Sequence, residues 1–173
     1  MFRILVVNNC GGISMKKCTA YIMLFLFSLL FATGCCKKEL DLKEASKAYL
    51  RGDYKAAADI FLPKAETGDA EAQVNIAFMY YCGMHVDQDF VKAAQWYKKA
   101  ADRNHPNAQF SLATLYENGE GVEQDIEEAY FWYSLAEKQG DEDAKRSRIE
   151  LEQKISKDHI KYLKDRLSKW QPL

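Results

Sequence analysis

Two adjacent stretches decide the fold of this protein: GDAEAQVNIAFMYYCGMHVDQDFVKAAQWYKKAADR (residues 68–103) and NHPNAQFSLATLYENGEGVEQDIEEAYFWYSLAEKQ (residues 104–139). Aligned without a gap, they share 12 identical positions at a constant spacing of 36. In the first copy these positions are Ala72, Gln73, Ala77, Tyr80, Gly83, Val86, Gln88, Asp89, Ala93, Trp96, Tyr97 and Ala100. A period of this length is typical of repeat proteins, in which each unit is too small to bury its own apolar face and packs on its neighbours. The sequence therefore predicts a stacked array rather than a single globular enzyme core.

Helix start and stop signals divide each copy into a pair of helices. Aspartates precede helices as N-caps, and Gly83 and Gly119 end the first helix of each pair. The spacing predicts helices over 69–82, 90–102, 105–118 and 126–139, a shorter pair over 39–66, and two further helices after Gly140, the last one capped by Ser156. We expect an all-α fold, an α-solenoid of antiparallel helix pairs with a C-terminal capping helix. The sequence divides into two N-terminal segments (1–34 and 35–38, interpreted below), a first helix pair (39–67), the two copies (68–103 and 104–139) and the C-terminal helices (140–173).

Three local signals make sharper predictions. Pro63 falls inside a helical pattern and is expected to disturb the end of that helix. Pro106 fits the first position of a helix, where its missing N–H costs nothing. Asp125 and Glu128 have the spacing of a capping box, in which each side chain bonds to the other residue's backbone.

The N-terminus differs in kind from the rest of the chain. An uncharged apolar stretch from Thr19 to Gly34 follows Lys16 and Lys17, which is typical of a secretory signal peptide and near the lower limit for spanning a bilayer. Its end, Phe-Ala-Thr-Gly-Cys, resembles the bacterial lipobox, whose cysteine is lipidated. We therefore expect residues 1–34 to be a signal peptide and Cys35 to be the lipid attachment site, carrying acyl chains such as palmitate, at the start of a tether over 35–38. An uncleaved anchor, an ordinary signal peptide, and a true start at Met15 remain alternatives.

The repeated pattern of Ala, Tyr, Gly, Val, Asp, Ala and Trp resembles the Sel1-like repeat, a relative of the tetratricopeptide repeat. It is formed by Ala72, Tyr80, Gly83, Val86, Asp89, Ala93 and Trp96, and again by Ala108, Tyr116, Gly119, Val122, Asp125, Ala129 and Trp132. The pair over 39–66 resembles a tetratricopeptide unit more weakly. One position departs from the family, because its second loop glycine is Gly121 in one copy and His85 in the other. If this position needs a positive φ, His85 adopts it under strain.

The residues that recur are expected to hold the structure together. Small alanines let helix backbones approach closely, and the large aromatic side chains fill the space between paired helices. This structural set comprises Ala72, Tyr80, Gly83, Trp96, Ala108, Tyr116, Gly119 and Trp132.

Function is expected at positions where the two copies differ on their first helices, since these helices line the concave side of such arrays. The candidate partner-binding surface comprises Asn75, Phe78, Tyr81, Ser111, Thr114 and Glu117. Aromatic side chains surrounded by polar groups are typical of binding hot spots. The alternative for Phe78 is packing against Tyr54 or another residue of the first helix pair.

Composition and motifs argue against several kinds of chemistry. With 24 Lys+Arg against 25 Asp+Glu, the chain lacks the concentrated basic charge of nucleic-acid-binding proteins. His85, His105 and His159 have no metal-ligand spacing, and no G-x-S-x-G, H-E-x-x-H or phosphate-loop motif is present. Cys82 is expected to be a partly buried residue near a helix end rather than part of a disulfide framework. We predict no catalytic residue, metal or cofactor.

These expectations combine into a functional hypothesis. The protein would be a non-enzymatic, lipid-anchored module of the bacterial cell envelope, facing the periplasm at the outer membrane and binding a protein on its concave helical surface. Resemblance to Sel1-like lipoproteins implies, as one form of this function, an immunity protein that neutralises a phospholipase effector of type VI secretion. The alternative is a cell-envelope enzyme or an activator of a wall-active enzyme. The partner, the choice of membrane and the oligomeric state stay open.

Overall fold

Eight α-helices joined by turns and loops make up residues 41–173, the part of the chain that the computed structural model describes. They are α1 (41–50), α2 (Tyr54–Glu66), α3 (Ala70–Cys82), α4 (Phe90–Asp102), α5 (Pro106–Asn118), α6 (Ile126–Lys138), α7 (Glu142–Glu152) and α8 (Lys157–Lys169). No strand occurs in this range, so the all-α prediction is confirmed. The expected signal peptide, the tether and Cys35 lie outside the described residues.

The helices pack in chain order, which gives the α-solenoid expected from the sequence. From α2 to α7, each helix packs on the next, and α8 packs against α6. Within residues 41–173, no helix is both long enough and apolar enough to cross a membrane.

The repeated alanines lie where helices touch. All eight are fully buried: Ala72, Ala77, Ala93, Ala100, Ala108, Ala113, Ala129 and Ala136. A methyl side chain at these points lets the backbones approach closely, and a larger one would force neighbouring helices apart. The sequence period therefore reflects a period in the helix contacts.

The two repeated tryptophans are buried to different extents. Trp132 is 2 % exposed, and the ring of Trp170, after α8, packs edge-on against it with centroids 6.5 Å apart. Trp96 is only half-buried, and Lys99 places its ammonium group 3.8 Å from the centre of the ring. Burial between paired helices is thus complete at Trp132 and partial at Trp96.

Two buried glutamines link consecutive units. Gln73 donates from Nε2 to the carbonyl of Ala65 at 3.0 Å, and Gln109 donates to the carbonyl of Ala101 at 3.3 Å. In each case, the first helix of one unit bonds to the end of the preceding helix. Each carbonyl also accepts from the backbone N–H of the turn that follows its helix, Gly68 or Asn104, so the glutamine adds a second hydrogen bond that joins the two units.

The loop inside each unit contains a residue with positive φ at the position singled out in the sequence. Its φ is 65° at His85 and 71° at Gly121. A Cβ atom at Gly121 would lie 2.2 Å from the backbone carbon and oxygen of Phe90, so this loop presses on the start of α4. His85 is exposed and carries the backbone strain expected of it.

Two local predictions need correction. Pro63 lies inside α2, which continues to Glu66, because a missing N–H near the helix end removes only one i to i−4 hydrogen bond. Asp125 caps α6 by accepting from the backbone N–H groups of Glu127 and Glu128, but the reciprocal half of the capping box is absent. The N–H of Asp125 already donates to the carbonyl of Tyr116, at 2.9 Å.

The carboxylate of Glu128 bonds instead to α8, which forms the C-terminal cap. Arg166 donates to it from Nη2 at 3.1 Å and lies over the ring of Phe131 at 3.8 Å. Ser156 is the N-cap of α8 and accepts from the N–H of His159, as predicted. The buried face of the helix carries Ile160, Leu163 and Leu167.

Candidate partner-binding groove

A cleft of about 160 Å³ lies between α3 and α5, the first helices of the two repeats. Its walls, which we call the inner groove, comprise Phe78, Tyr81, Tyr97, Phe110, Ser111, Thr114 and Leu115. Four of the six candidate residues lie in this set: Phe78, Tyr81, Ser111 and Thr114.

Local sequence signals orient both walls. Asp69 starts α3 by accepting from the N–H of Ala72 at 3.1 Å, and Pro106 occupies the first turn of α5, as predicted. Left-handed glycines, Gly83 and Gly119, end the two helices. Because both helices are 13 residues long and start at equivalent positions, their exposed faces come into register along the groove.

Phe78 is the apolar side chain that the inner groove leaves open. It is 40 % exposed, whereas Leu115 on the opposite wall is buried. Tyr54, one of the packing partners considered for Phe78 above, pairs with Tyr49 at a centroid distance of 5.3 Å, whereas the Phe78 side chain lines the cleft. Phe78 therefore presents apolar surface to the cleft.

Two buried tyrosines support the groove from behind. Tyr97 on α4 and Tyr133 on α6 occupy equivalent repeat positions and are almost fully buried. Tyr97 lines the cleft together with Ser111, and the Tyr133 hydroxyl lies 3.0 Å from Thr114 Oγ1. Burial raises the pKa of each tyrosine to about 12, so both hydroxyls remain protonated donors over the neutral range.

Two carboxylates stand at one end of the groove. Glu117 accepts from the Tyr133 hydroxyl at 2.9 Å, and Glu120 accepts from the Tyr81 hydroxyl at 3.2 Å. Burial and the adjacent Glu120 carboxylate raise the pKa of Tyr81, which keeps its hydroxyl protonated. These hydrogen bonds join both carboxylates to the residues that surround the cleft.

The remaining candidate residue lies apart from this group. Asn75 donates to the backbone carbonyl of Glu71 at 2.8 Å, within its own helix. It does not line the cleft.

Sequence reasoning did not select four residues that contribute to the groove. Phe110 replaces Val74 of the first copy, so the rule of differing positions could have found it; its ring lies 5.4 Å from that of Tyr133. Tyr97 is identical in both copies, and that rule excluded it. Leu115 is an ordinary core residue, and Glu120 lies in a loop beyond the helix that was considered.

The histidines and Cys82 form no chemical centre. Nε2 of His105 lies 3.1 Å from Glu71, His159 contacts Glu127, and His85 is exposed in its loop. Among residues 41–173, no group of three His, Cys, Asp or Glu side chains could hold a metal ion. Cys82, predicted to be partly buried, is exposed because it ends α3 on the solvent side.

Comparison with known proteins identifies the repeat and the fold. The model of the Sel1 repeat matches residues 70–105 and 106–141, two residues later than the copies aligned above. A protective antigen present in uropathogenic Escherichia coli strains, displaying an SLR fold, is similar at 25 % identity and a TM-score of 0.70, over 76 % of this chain and 29 % of that one. A Sel1 repeat protein from Oxalobacter formigenes is similar at 38 % identity and a TM-score of 0.57, over 60 % of this chain and 42 % of the other.

A third structure, the cysteine rich protein B of Helicobacter pylori, shares the fold at 20 % identity and a TM-score of 0.51, over 62 % of this chain and 92 % of that one. This chain spans less than half the length of the first two relatives. Among curated proteins, none matches the sequence.

Proposed function

Since residues 70–105 and 106–141 are two Sel1 repeats, we propose that this protein is a protein–protein interaction module whose partner binds in the inner groove. Sel1 repeats generally serve as modules of this kind. The observation that carries the proposal is the open ring of Phe78, 40 % exposed in a cleft whose other walls are fixed by packing and hydrogen bonds. Exposed aromatic rings within ordered polar surroundings are where binding energy concentrates.

The dimensions of the cleft suit one side chain of the partner. Its volume of about 160 Å³ is close to that of cavities that hold a benzene-sized group. An aliphatic or aromatic side chain would contact Phe78 on one wall and Leu115 on the other. The hydroxyl oxygens of Ser111 and Thr114 could accept from N–H groups of the partner's backbone, which would orient the bound segment.

A matched pair of substitutions tests the groove. Phe78→Asp places a charge in the cleft, whereas Val91→Asp places the same charge on α4 at a side chain that is 53 % exposed and outside the inner groove. Wild-type protein and each variant are cross-linked in the envelope fraction of the producing cells and captured on beads, with empty beads as the control. The captured proteins are identified by mass spectrometry. We expect one protein to be captured by the wild type and by Val91→Asp but not by Phe78→Asp. Equal capture by both variants would contradict the assignment of the groove.

We also propose that the module is anchored in the bacterial cell envelope through a lipid on Cys35 and faces the periplasm at the outer membrane. The support comes from sequence: Lys16 and Lys17, the apolar stretch that follows, and the small residues before the cysteine. Cells fed a clickable fatty acid should label the wild type and Cys36→Ala but not Cys35→Ala. Label that persists on Cys35→Ala would exclude this attachment site.

A finer form of the proposal assigns an immunity role against a phospholipase effector of type VI secretion. It is supported by the expected export and by a groove able to accept a protein segment. If the captured partner is a phospholipase, an equimolar amount of wild-type protein should inhibit its hydrolysis of phospholipid vesicles, and Phe78→Asp should not. Capture of a wall-synthesis enzyme would instead support a role as activator.

A further inference from the structure

Resting on the proposed function, we propose that the partner segment bound in the inner groove carries a lysine or arginine next to its apolar side chain, and that Glu117 and Glu120 bind this cation. The partner would thus be recognised by a pair of neighbouring side chains, one apolar and one basic. The inference rests on negative charge at one end of the groove that no cation of the described chain compensates.

The two carboxylates are oriented but not neutralised. Each is half-buried and accepts a tyrosine hydroxyl, from Tyr133 in one case and Tyr81 in the other. Neither forms an ion pair with any residue between 41 and 173. Other half-buried glutamates of the described chain do have a cation, since Arg166 pairs with Glu128 and Arg148 with both Glu137 and Glu152.

Helix ends add to the negative charge. Tyr81 lies in the last turn of α3 and its hydroxyl bonds to Glu120, just beyond α5, so the C-terminal ends of both helices meet at this end of the groove. A helix C-terminus carries a partial negative charge, which nearby cations usually compensate.

Five of the eight described helices follow this rule, whereas the two helices that form the groove do not. Basic residues occupy the last turn of α1, α2, α4, α6 and α8, namely Lys47, Lys64, Lys99, Lys138, Arg166 and Lys169. The last turns of α3 and α5 contain none, nor does that of α7. The chain therefore leaves the groove end without the cation that it supplies at most of its other helix ends.

The shape of a basic side chain suits the site. Lysine and arginine have an apolar stem that can lie along Phe78 and Tyr81, while the charged end reaches a carboxylate. A cation near these rings also gains from the negative face of an aromatic system. Bonds from an ammonium or guanidinium group to carboxylates already held in place are among the stronger hydrogen bonds of proteins. An acidic partner segment would be repelled at the same point.

The test uses a phage-displayed library of short random peptides, selected against the full chain. We expect the selected peptides to share a Lys or Arg within a few positions of Leu, Met, Phe or Tyr. A fluorescent synthetic copy should bind about 3- to 10-fold more weakly to Glu117→Gln and to Glu120→Gln, the range for losing one partly exposed charge contact. Glu123→Gln, a change at an exposed loop residue outside the groove, should bind like the wild type.

Glutamine keeps an oxygen that can accept a hydrogen bond from the tyrosine hydroxyl, so we expect both groove variants to fold. Circular dichroism checks this. Binding that weakens as salt is raised, in the wild type more than in the double variant, would support the ionic contact. Selected peptides whose binding requires Phe78 but which lack a basic residue would overturn this inference, and the assignment of the groove would still hold. Failure to select any peptide that depends on Phe78 would overturn both.

Discussion

Gly121→Ala probes the contact between the loop of the second repeat and the start of α4. The added Cβ would lie 2.2 Å from the backbone carbon and oxygen of Phe90 and 2.6 Å from the nitrogen of Val91. Real Cβ atoms essentially never come closer than 3.0 Å to such atoms, so backbone must move by close to an ångström, and no flexible side chain can absorb the change.

Two costs add at this position. Overpacking of this kind costs about 1–3 kcal/mol. The positive φ of 71° adds about 1–2 kcal/mol for a residue with a side chain. We therefore expect a loss of about 2–5 kcal/mol in the free energy of unfolding, a large part of the about 5–15 kcal/mol that domains possess.

Urea unfolding followed by circular dichroism measures this loss. The matched control is His85→Gly, at the equivalent position of the first repeat. It relieves the strain of a positive φ of 65° but makes the unfolded chain more flexible, so the two effects of about 1 kcal/mol nearly cancel. A Gly121→Ala protein as stable as the wild type would show that the loop does not press on α4 and would refute the reasoning.

The remaining predictions concern the core and the C-terminal cap. Trp132→Ala should destabilise the fold by about 3–5 kcal/mol, and Trp96→Ala by clearly less, because only the former removes a fully buried ring; thermal unfolding of both proteins compares them. Ala113→Leu should cost about 1–3 kcal/mol in urea unfolding, since this alanine is fully buried between helices. The hydrogen bond and charge of Glu127 raise the pKa of His159 above its ordinary 6.5. The His159–Glu127 pair should therefore make its full contribution to the free energy of unfolding below pH 6.5, and this contribution should disappear as the pH rises past the raised pKa. The melting temperatures of the wild type and His159→Gln, measured from below pH 6.5 to above the raised pKa, should therefore converge at the alkaline end. A difference between the two melting temperatures that grows with pH would contradict this prediction.

Helix positions could be predicted because each rests on a signal within one turn of the chain. Asp69, Asp89 and Asp125 cap helices, and Gly83 and Gly119 end them, as the sequence indicates. The capping-box prediction for Asp125 and Glu128 was wrong because it depended on a distant partner. The carboxylate of Glu128 bonds to Arg166, 38 residues away, rather than closing the capping box.

The groove was accessible to sequence reasoning only in part. Comparison of the two copies singled out Phe78 and Thr114, because a surface that binds a particular partner need not repeat. Tyr97 is missed by the same comparison, since a residue that supports the fold can also form the wall of a cleft. Glu120 joins the site through the hydroxyl of Tyr81, a contact that depends on how closely two helix ends approach.

The glutamines that link consecutive units have a consequence for how such a chain can grow. Gln73 and Gln109 each sit inside the unit that they attach, and each binds a main-chain oxygen of its predecessor. A main-chain oxygen is present whatever the residue, so this hydrogen bond demands no matching side chain on the preceding unit. Duplication of a whole 36-residue segment would therefore carry the bond with it, and the array could lengthen without a compensating substitution at this bond.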